Sequence, residues 1–183
     1  LAVMIRDILH ENGVSARGLK TLMIRSDREG SCVWQLYIKD KKADILTEEQ
    51  ALRLPAQGGE IIYSDPKSPA SVITKRLASF GDIRLNDTVL SVPFSYVCEG
   101  FFQGNLPVYE QALRDMQQWI DDKPVVDMYS GVGTIGFTIG GDNLTLVEIN
   151  KSAVDEMKRN RYELGKKATI VEASAEISLD SIN

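Results

Sequence analysis

The feature of this 183-residue sequence that most constrains its fold is the stretch from Val125 to Gly136. It begins with branched apolar residues, reaches an acid at Asp127, and continues through closely spaced glycines that include Gly131 and Gly133. Glycine adopts positive φ readily, and because it has no Cβ a ligand can approach its backbone closely. Open α/β sheets bind ligands at the carboxyl ends of their strands. The stretch therefore predicts a buried strand, a loop that faces a nucleoside, and the beginning of a helix.

The segments around this stretch alternate between strand and helix patterns. Apolar residues recur at helical spacing over residues 106–120, ahead of the Val125 strand. Residues 143–148 are typical of a second strand that ends in an acid, and Asn150 is suited to cap a helix that ends near Gly165. Residues 168–171 complete a third strand. This alternation predicts a parallel sheet with helical crossovers, the arrangement of a Rossmann-like α/β domain.

The N-terminal half predicts a separate α+β unit. An apolar stripe over residues 2–9 predicts a helix that Gly13 ends, and residues 19–25 and 33–38 predict a hairpin. Thr47, with Gln50 three residues later, predicts a capping box. Further strands are predicted at residues 60–63, 71–74, 83–85 and 89–92. The composition changes at Pro93, so we expect domains at 1–95 and 96–183.

Composition limits the possible functions. The net charge is −5, so only a local basic patch could bind nucleic acid. The Lys39–Lys42 loop is either such a patch or simply a solvated loop. No apolar run approaches the roughly 18 residues that a membrane helix needs. Cys32 and Cys98 have no metal-ligand spacing and there is a single histidine, so we expect no metal site and reduced thiols in a cytoplasmic protein.

Two cofactors are compatible with the glycine loop. Gly131–Gly136 matches GxGxxG, and Glu148 lies near the spacing of a ribose-binding acid, so NAD is one candidate. Dinucleotide loops, however, place the first glycine directly after the strand, where pyrophosphate meets the helix N-terminus. Here Asp127 to Ser130 come first. An acid in this position opposes a pyrophosphate and suits the cationic methionine end of S-adenosyl-L-methionine, which we expect to be the cofactor.

Several of these motifs together resemble a known family. They are Phe101–Asn105 (FFQGN), a connecting helix, Val126–Gly133 (VDMYSGVG) and Val147-Glu148. Their order and spacing are similar to those of RNA uracil-5-methyltransferases, which form 5-methyluridine in tRNA or rRNA. The likeness covers about residues 100–174, and the N-terminal half is only broadly similar to the family's central α+β domain. The resemblance implies a class I methyltransferase sheet, S-adenosyl-L-methionine as cofactor and RNA as partner.

The resemblance also implies roles for individual residues. Gln103 would contact the cofactor, Tyr129 would pack beside it unless it is a core aromatic, and Glu148 would accept both ribose hydroxyls. Ser174 falls where the family has a polar side chain near the adenine. The cofactor-binding residues implied or inferred in this way are Gln103, Asp127, Tyr129, Gly131, Gly133, Glu148 and Ser174.

The sequence also departs from the family. The family's nucleophilic cysteine adds to uracil C6, C5 then takes the methyl group, and a general-base glutamate removes the C5 proton. Both residues lie downstream of the third strand in the family, and Asn183 precedes any match to them. We therefore expect a C-terminally incomplete chain with no catalytic residue and no activity of its own. A non-catalytic interaction module with a degenerate Rossmann half is a further alternative, and the oligomeric state is not predicted.

Overall fold

A computed structural model describes residues 1–179 of the chain, and these divide into two compact units between Leu85 and Asn86. The composition change predicted a boundary at 95/96 instead. Pro93, at which the composition changes, is the second residue of a strand. Proline lacks the backbone N–H, and a strand tolerates this best near its beginning. Within residues 1–179 no helix is both long and apolar enough to cross a membrane.

The first unit is an α+β unit built on one four-stranded sheet. Its elements are α1 (Ala2–Glu11), β1 (Leu19–Ser26), β2 (Cys32–Ile38), α2 (Glu48–Leu52), β3 (Gly58–Tyr63) and β4 (Lys75–Gly81). The strand order is β1-β2-β3-β4, with β2 and β3 parallel and the outer pairs antiparallel. Trp34 and Ile61 lie in its apolar core together with Ile5 and Leu9 of α1. Gly59 makes room there, because a Cβ at this position would stand 1.9 Å from the Trp34 ring.

Three local predictions for this unit are confirmed. Helix α1 ends at Glu11, and Gly13 follows with a φ of 69°. Strands β1 and β2 form the predicted hairpin, and the Asp27 carboxylate in its turn accepts hydrogen bonds from the Glu29 and Ser31 backbone N–H groups. Thr47 and Gln50 form the capping box of α2.

The strand that follows β3 was predicted at the wrong position. The partner of β3 is Lys75–Gly81, not residues 71–74. Ser71 has a φ of 62°, which turns the chain, so Val72 and Ile73 belong to the connection although they are apolar. The true strand begins with Lys75 and Arg76, whose charges weaken its strand pattern.

The next hairpin consists of β5 (Arg84–Val89) and β6 (Val92–Val97). Residues 89–92, which were predicted as a strand, hold its turn instead. Leu90 and Ser91 both have positive φ, 46° and 70°, as a two-residue type I′ turn requires. Such turns usually contain Asn-Gly, so Leu90-Ser91 gave no turn signal in the sequence.

The second unit contains the predicted α/β arrangement. Its further elements are α3 (Leu106–Gln117), β7 (Val125–Met128), α4 (Thr134–Ile139), β8 (Leu144–Glu148), α5 (Lys151–Glu163), β9 (Ala168–Glu172) and α6 (Ala175–Leu179). Strands β7, β8 and β9 form a parallel sheet in that order, as predicted. The Asn150 side chain caps α5, also as predicted, by accepting from the Ser152 and Ala153 N–H groups.

Candidate functional site

The candidate site lies at the carboxyl edge of the parallel sheet. Met128, at the end of β7, is in register with Val147 of β8, which is in register with Val171 of β9. The glycine loop, Glu148 and Ser174 follow these residues and therefore emerge at one edge. This is the edge at which open parallel sheets bind ligands.

Ser130 joins the ends of β7 and β8, a role that sequence reasoning missed. Its Oγ accepts a hydrogen bond from the Val147 N–H at 2.9 Å, and its hydroxyl donates to the Asp127 carbonyl at 2.6 Å. The Ser130 N–H also bonds to the Val147 carbonyl at 3.0 Å. Because all these groups are buried, the loop leaves the sheet in a fixed direction.

Three backbone N–H groups hold the Glu148 carboxylate. Its Oε2 accepts from Gly131 at 3.0 Å, and its Oε1 accepts from Ile149 at 2.9 Å and from Asn150 at 2.7 Å. An ionised carboxylate has about four lone-pair positions, so one remains. Binding of two hydroxyl groups by Glu148 therefore requires the release of one backbone N–H, and the Gly131 N–H is the one that belongs to the loop.

The glycines of the loop differ in what surrounds them. A Cβ on Gly131 would meet no atom within 4 Å, although its φ is 57°. A Cβ on Gly133 would stand 2.4 Å from the Phe137 ring, and one on Gly136 would stand 2.4 Å from a methyl group of Leu146. Gly133 and Gly136 therefore permit helix–sheet packing, whereas Gly131 leaves its backbone open to approach.

The Asp127 side chain points toward the beginning of α4. It is buried, and its Oδ2 accepts a hydrogen bond from the Gly136 N–H at 3.0 Å. Burial, together with the nearby Glu148 charge, raises the pKa of Asp127 to about 6, although the Gly136 bond opposes this. Burial also raises the pKa of Tyr109 on α3. A hydrogen bond with the Thr134 side chain lowers this pKa, and the negative charge of Asp127 raises it.

A cavity of about 180 Å³ lies beside the loop within the second unit. The glycine loop contributes Gly131 and Val132 to its wall, and β8 contributes Glu148. The end of β6 and the residues after it form a second part of the lining, and the beginning of α5 forms a third. Its other lining residues are Val97, Glu99, Gly100, Phe101, Asn150, Ser152, Ala153 and Glu156. Of the seven predicted cofactor-binding residues, only Gly131 and Glu148 belong to this lining.

The remaining predicted residues lie around the same unit. Tyr129 is 73% exposed with a φ of 59°, so the interpretation as a core aromatic is wrong. Gln103 is exposed, just ahead of α3. Ser174 is half-buried, and its Oγ accepts from the Ile177 N–H at 3.4 Å at the beginning of α6. Their contact with a cofactor stays a prediction.

A buried amide, Asn160 on α5, was also missed. It is 1% exposed and hydrogen-bonds to the backbone of Ser95 and Val132. One signal was present in the sequence: Asn160 follows Met157 by three residues, on the face of α5 that carries the apolar residues Val154 and Met157. A polar side chain there must find hydrogen-bond partners.

The first unit has a cavity of its own, about 430 Å³ in volume, beside the Lys39–Lys42 loop. Arg17, Lys39 and Lys42 line it together with Asp40. The Lys39 ammonium donates to the Arg17 carbonyl at 2.9 Å. Binding of nucleic acid by this loop stays a prediction. Among residues 1–179 no cluster of three or more His, Cys, Asp or Glu side chains could hold a metal ion.

Sequence comparison relates the chain to RNA methyltransferases. The chain matches no protein-family model. It is 26% identical over 179 residues to a protein named as an uncharacterized RNA methyltransferase of Fusobacterium nucleatum, covering 88% of this chain and 38% of that protein. It is 31% identical over 78 residues to a 23S rRNA (uracil(747)-C(5))-methyltransferase of Pyrococcus horikoshii, covering 42% of this chain and 19% of that protein. The chain thus spans well under half the length of these curated relatives.

Structural comparison supports the fold. The chain is similar to Pyrococcus abyssi tRNA (uracil-54, C5)-methyltransferase, solved in complex with S-adenosyl-L-homocysteine, with a TM-score of 0.80. The match covers 93% of this chain and 45% of that one at 18% sequence identity. The described residues of this chain therefore share the fold of the corresponding part of that methyltransferase.

Proposed function

We propose that this chain is the cofactor-binding part of an S-adenosyl-L-methionine-dependent RNA methyltransferase that methylates uracil C5 in tRNA or rRNA. The observation that carries the proposal is at the carboxyl edge of the parallel sheet. There the open backbone of Gly131 lies 3.0 Å from the Glu148 carboxylate, beside a cavity. The names of the relatives support RNA as the substrate class.

The surroundings of α4 favour this cofactor over NAD. A dinucleotide places its pyrophosphate on free N–H groups at a helix N-terminus. In this chain the Asp127 carboxylate already accepts a hydrogen bond from the Gly136 N–H in the first turn of α4. A second anion would meet this carboxylate in a buried setting where repulsion is poorly screened. A ligand with a positively charged sulfonium does not incur that cost.

The residues at the edge have separable tasks in this proposal. Glu148 accepts hydrogen bonds from the ribose hydroxyls. A hydrogen bond to an ionised acceptor is stronger than one to a neutral acceptor. Gly131 lets the cofactor approach the backbone, and Ser130 keeps the loop and β8 together. Gln103, Tyr129, Gly133 and Ser174 complete the proposed contact set. The cofactor supplies an electrophilic methyl group.

Uracil C5 methylation is the specific reaction that we propose for the full-length protein. Its support is the FFQGN element, the VDMYSGVG loop and the named uracil-C5 methyltransferases among the relatives. A base within folded RNA must leave its stack to reach such a site. The nucleophilic cysteine and general base of this reaction have no counterpart that we assign within this chain.

Calorimetric titration of the chain with S-adenosyl-L-homocysteine and, separately, with NAD⁺ tests the cofactor. We expect saturable binding of S-adenosyl-L-homocysteine and none of NAD⁺; the reverse result overturns the proposal. For the reaction, the full-length protein is incubated with methyl-labelled S-adenosyl-L-methionine and unmodified tRNA and rRNA. Nucleoside analysis should then find label in 5-methyluridine. Label in a different nucleoside would exclude uracil C5 while retaining RNA methylation.

A further inference from the structure

Asn160 holds two separate backbone segments at once. Its Oδ1 accepts from the Ser95 N–H at 2.9 Å, and its Nδ2 donates to the Ser95 carbonyl at 3.1 Å and to the Val132 carbonyl at 3.2 Å. The side chain thus pairs with both backbone groups of Ser95 as a neighbouring strand would. Its remaining donor reaches the glycine loop. All three residues are buried, so water cannot replace these bonds.

These two segments lead into different parts of the cavity lining. Ser95 lies in β6, two residues ahead of Val97, where the wall formed by Val97 and Glu99–Phe101 begins. Val132 belongs to the glycine-loop wall. The third wall is the N-terminal part of α5, the helix that carries Asn160. Asn160 itself does not line the cavity. One buried amide therefore connects the three elements that enclose it.

We propose that Asn160 is a positioning residue: it fixes the separation between the β6 wall and the glycine-loop wall of the cavity. For the consequence on ligand binding, this inference rests on the proposed function. Without Asn160, the Val132 carbonyl loses a buried donor and the loop is no longer tied to β6. Gly131, which precedes Val132, then moves relative to Glu148, so the cofactor should bind more weakly although no residue that touches it has changed.

Hydrogen exchange tests the positioning role without any ligand. In Asn160→Ala, the amide protons of Ser95, Gly131 and Gly133 should exchange at least about tenfold faster than in the unaltered chain, because the loss of a single hydrogen bond has about that effect and the variant loses three. The control is Val154→Ala, which removes a buried apolar side chain from the same helix and no hydrogen bond. Equal acceleration at these amides in both variants would overturn the inference.

Asn160→Asp separates hydrogen-bond donation from side-chain volume. It keeps the size of the side chain and its acceptor toward the Ser95 N–H, but it turns an oxygen toward two carbonyls. At a pH where the introduced carboxyl group is ionised, we expect it to loosen the same amides at least as much as Asn160→Ala does, and behaviour like the unaltered chain there would contradict the proposal. If neither variant folds, the Nδ2 protons of Asn160 in the unaltered chain decide: they should exchange far more slowly than those of exposed asparagines.

Titration with S-adenosyl-L-homocysteine then tests the functional consequence. Asn160→Ala should bind it about tenfold more weakly than Val154→Ala, with both measured well below their unfolding transitions. Equal affinity in the two variants would show that the Asn160 hydrogen bonds do not fix the separation of the cavity walls. If the unaltered chain binds no S-adenosyl-L-homocysteine, the proposed function fails, while the exchange experiment still decides the positioning role of Asn160.

Discussion

The Gly131 backbone N–H donates a hydrogen bond to the Glu148 carboxylate at 3.0 Å, across the ends of two neighbouring parallel strands. The carboxylate therefore holds the loop in this structure, and it has one lone-pair position left. A ligand that donates two hydrogen bonds to Glu148 therefore replaces the Gly131 N–H. Ligand binding at Glu148 and the position of the loop should therefore be coupled.

The Glu148 carboxylate should contribute directly to cofactor affinity. Glu148→Ala removes a charged hydrogen-bond partner, so we expect S-adenosyl-L-homocysteine binding to weaken by about 1–3 kcal/mol. Glu172→Ala is the matched control, because Glu172 is also the acid at the end of a parallel strand but is exposed. Calorimetry on both variants checks this. Equal losses, or none in Glu148→Ala, would remove Glu148 from the site.

Substitution of Gly131 and Gly133 should affect stability and binding differently. Gly131→Ala places a Cβ in open space at positive φ, so we expect a loss of about 1–2 kcal/mol in unfolding free energy together with weakened cofactor binding. Gly133→Ala adds a clash with Phe137 to the same backbone strain and should cost roughly 1–3 kcal/mol more. Urea denaturation measures both variants. A larger stability loss in Gly131→Ala than in Gly133→Ala would contradict the packing described for the loop.

Asp127 should make the stability of the chain depend on pH. Its pKa rises from 3.8 to about 6 in the folded state, so the folded state binds a proton more tightly than the unfolded state does. The contribution of Asp127 to stability is then complete below pH 4 and is lost as the pH rises through about 6. Asp127→Asn lacks this dependence and can still accept from the Gly136 N–H.

Denaturation of the unaltered chain and of Asp127→Asn across pH 4 to 7 measures this effect. Relative to the variant, the unaltered chain should lose roughly 2 kcal/mol over that range. Asp142→Asn, a substitution of an exposed acid just ahead of β8, serves as the control and should parallel the unaltered chain. A constant difference between the unaltered chain and Asp127→Asn at all pH values would show that Asp127 is ionised at little cost.

The 183-residue chain alone should form no 5-methyluridine. Cys98 is 3% exposed, so a uracil has no room to reach its sulfur. Cys32 belongs to the first unit, where its thiol donates a hydrogen bond to the Pro55 carbonyl. Incubation of the chain with labelled S-adenosyl-L-methionine and unmodified tRNA and rRNA checks this. Turnover that disappears in Cys98→Ser would make Cys98 the nucleophile.

Local signals predicted most of the elements correctly. The capping box at Thr47, the turn at Asp27 and the cap at Asn150 each depend on residues within a few positions of one another, so the sequence reveals them. The errors arose where tertiary structure overrode such signals. The Leu90-Ser91 turn and the Ser71 turn both use positive φ at residues that seldom adopt it.

The sequence by itself determined the strand–loop–helix order of the second unit, its parallel sheet and the convergence of the glycine loop and Glu148 at one edge. Strand and helix periodicity, glycine spacing and the register of parallel strands are enough for that inference. Only the tertiary structure decided which glycine is open to a ligand, that the Asp127 carboxylate accepts from the Gly136 N–H, and that Asn160 joins β6 to the loop. These depend on contacts between residues far apart in the chain, and Asn160 lies 65 residues from Ser95. Buried polar groups find such partners only once the chain is packed.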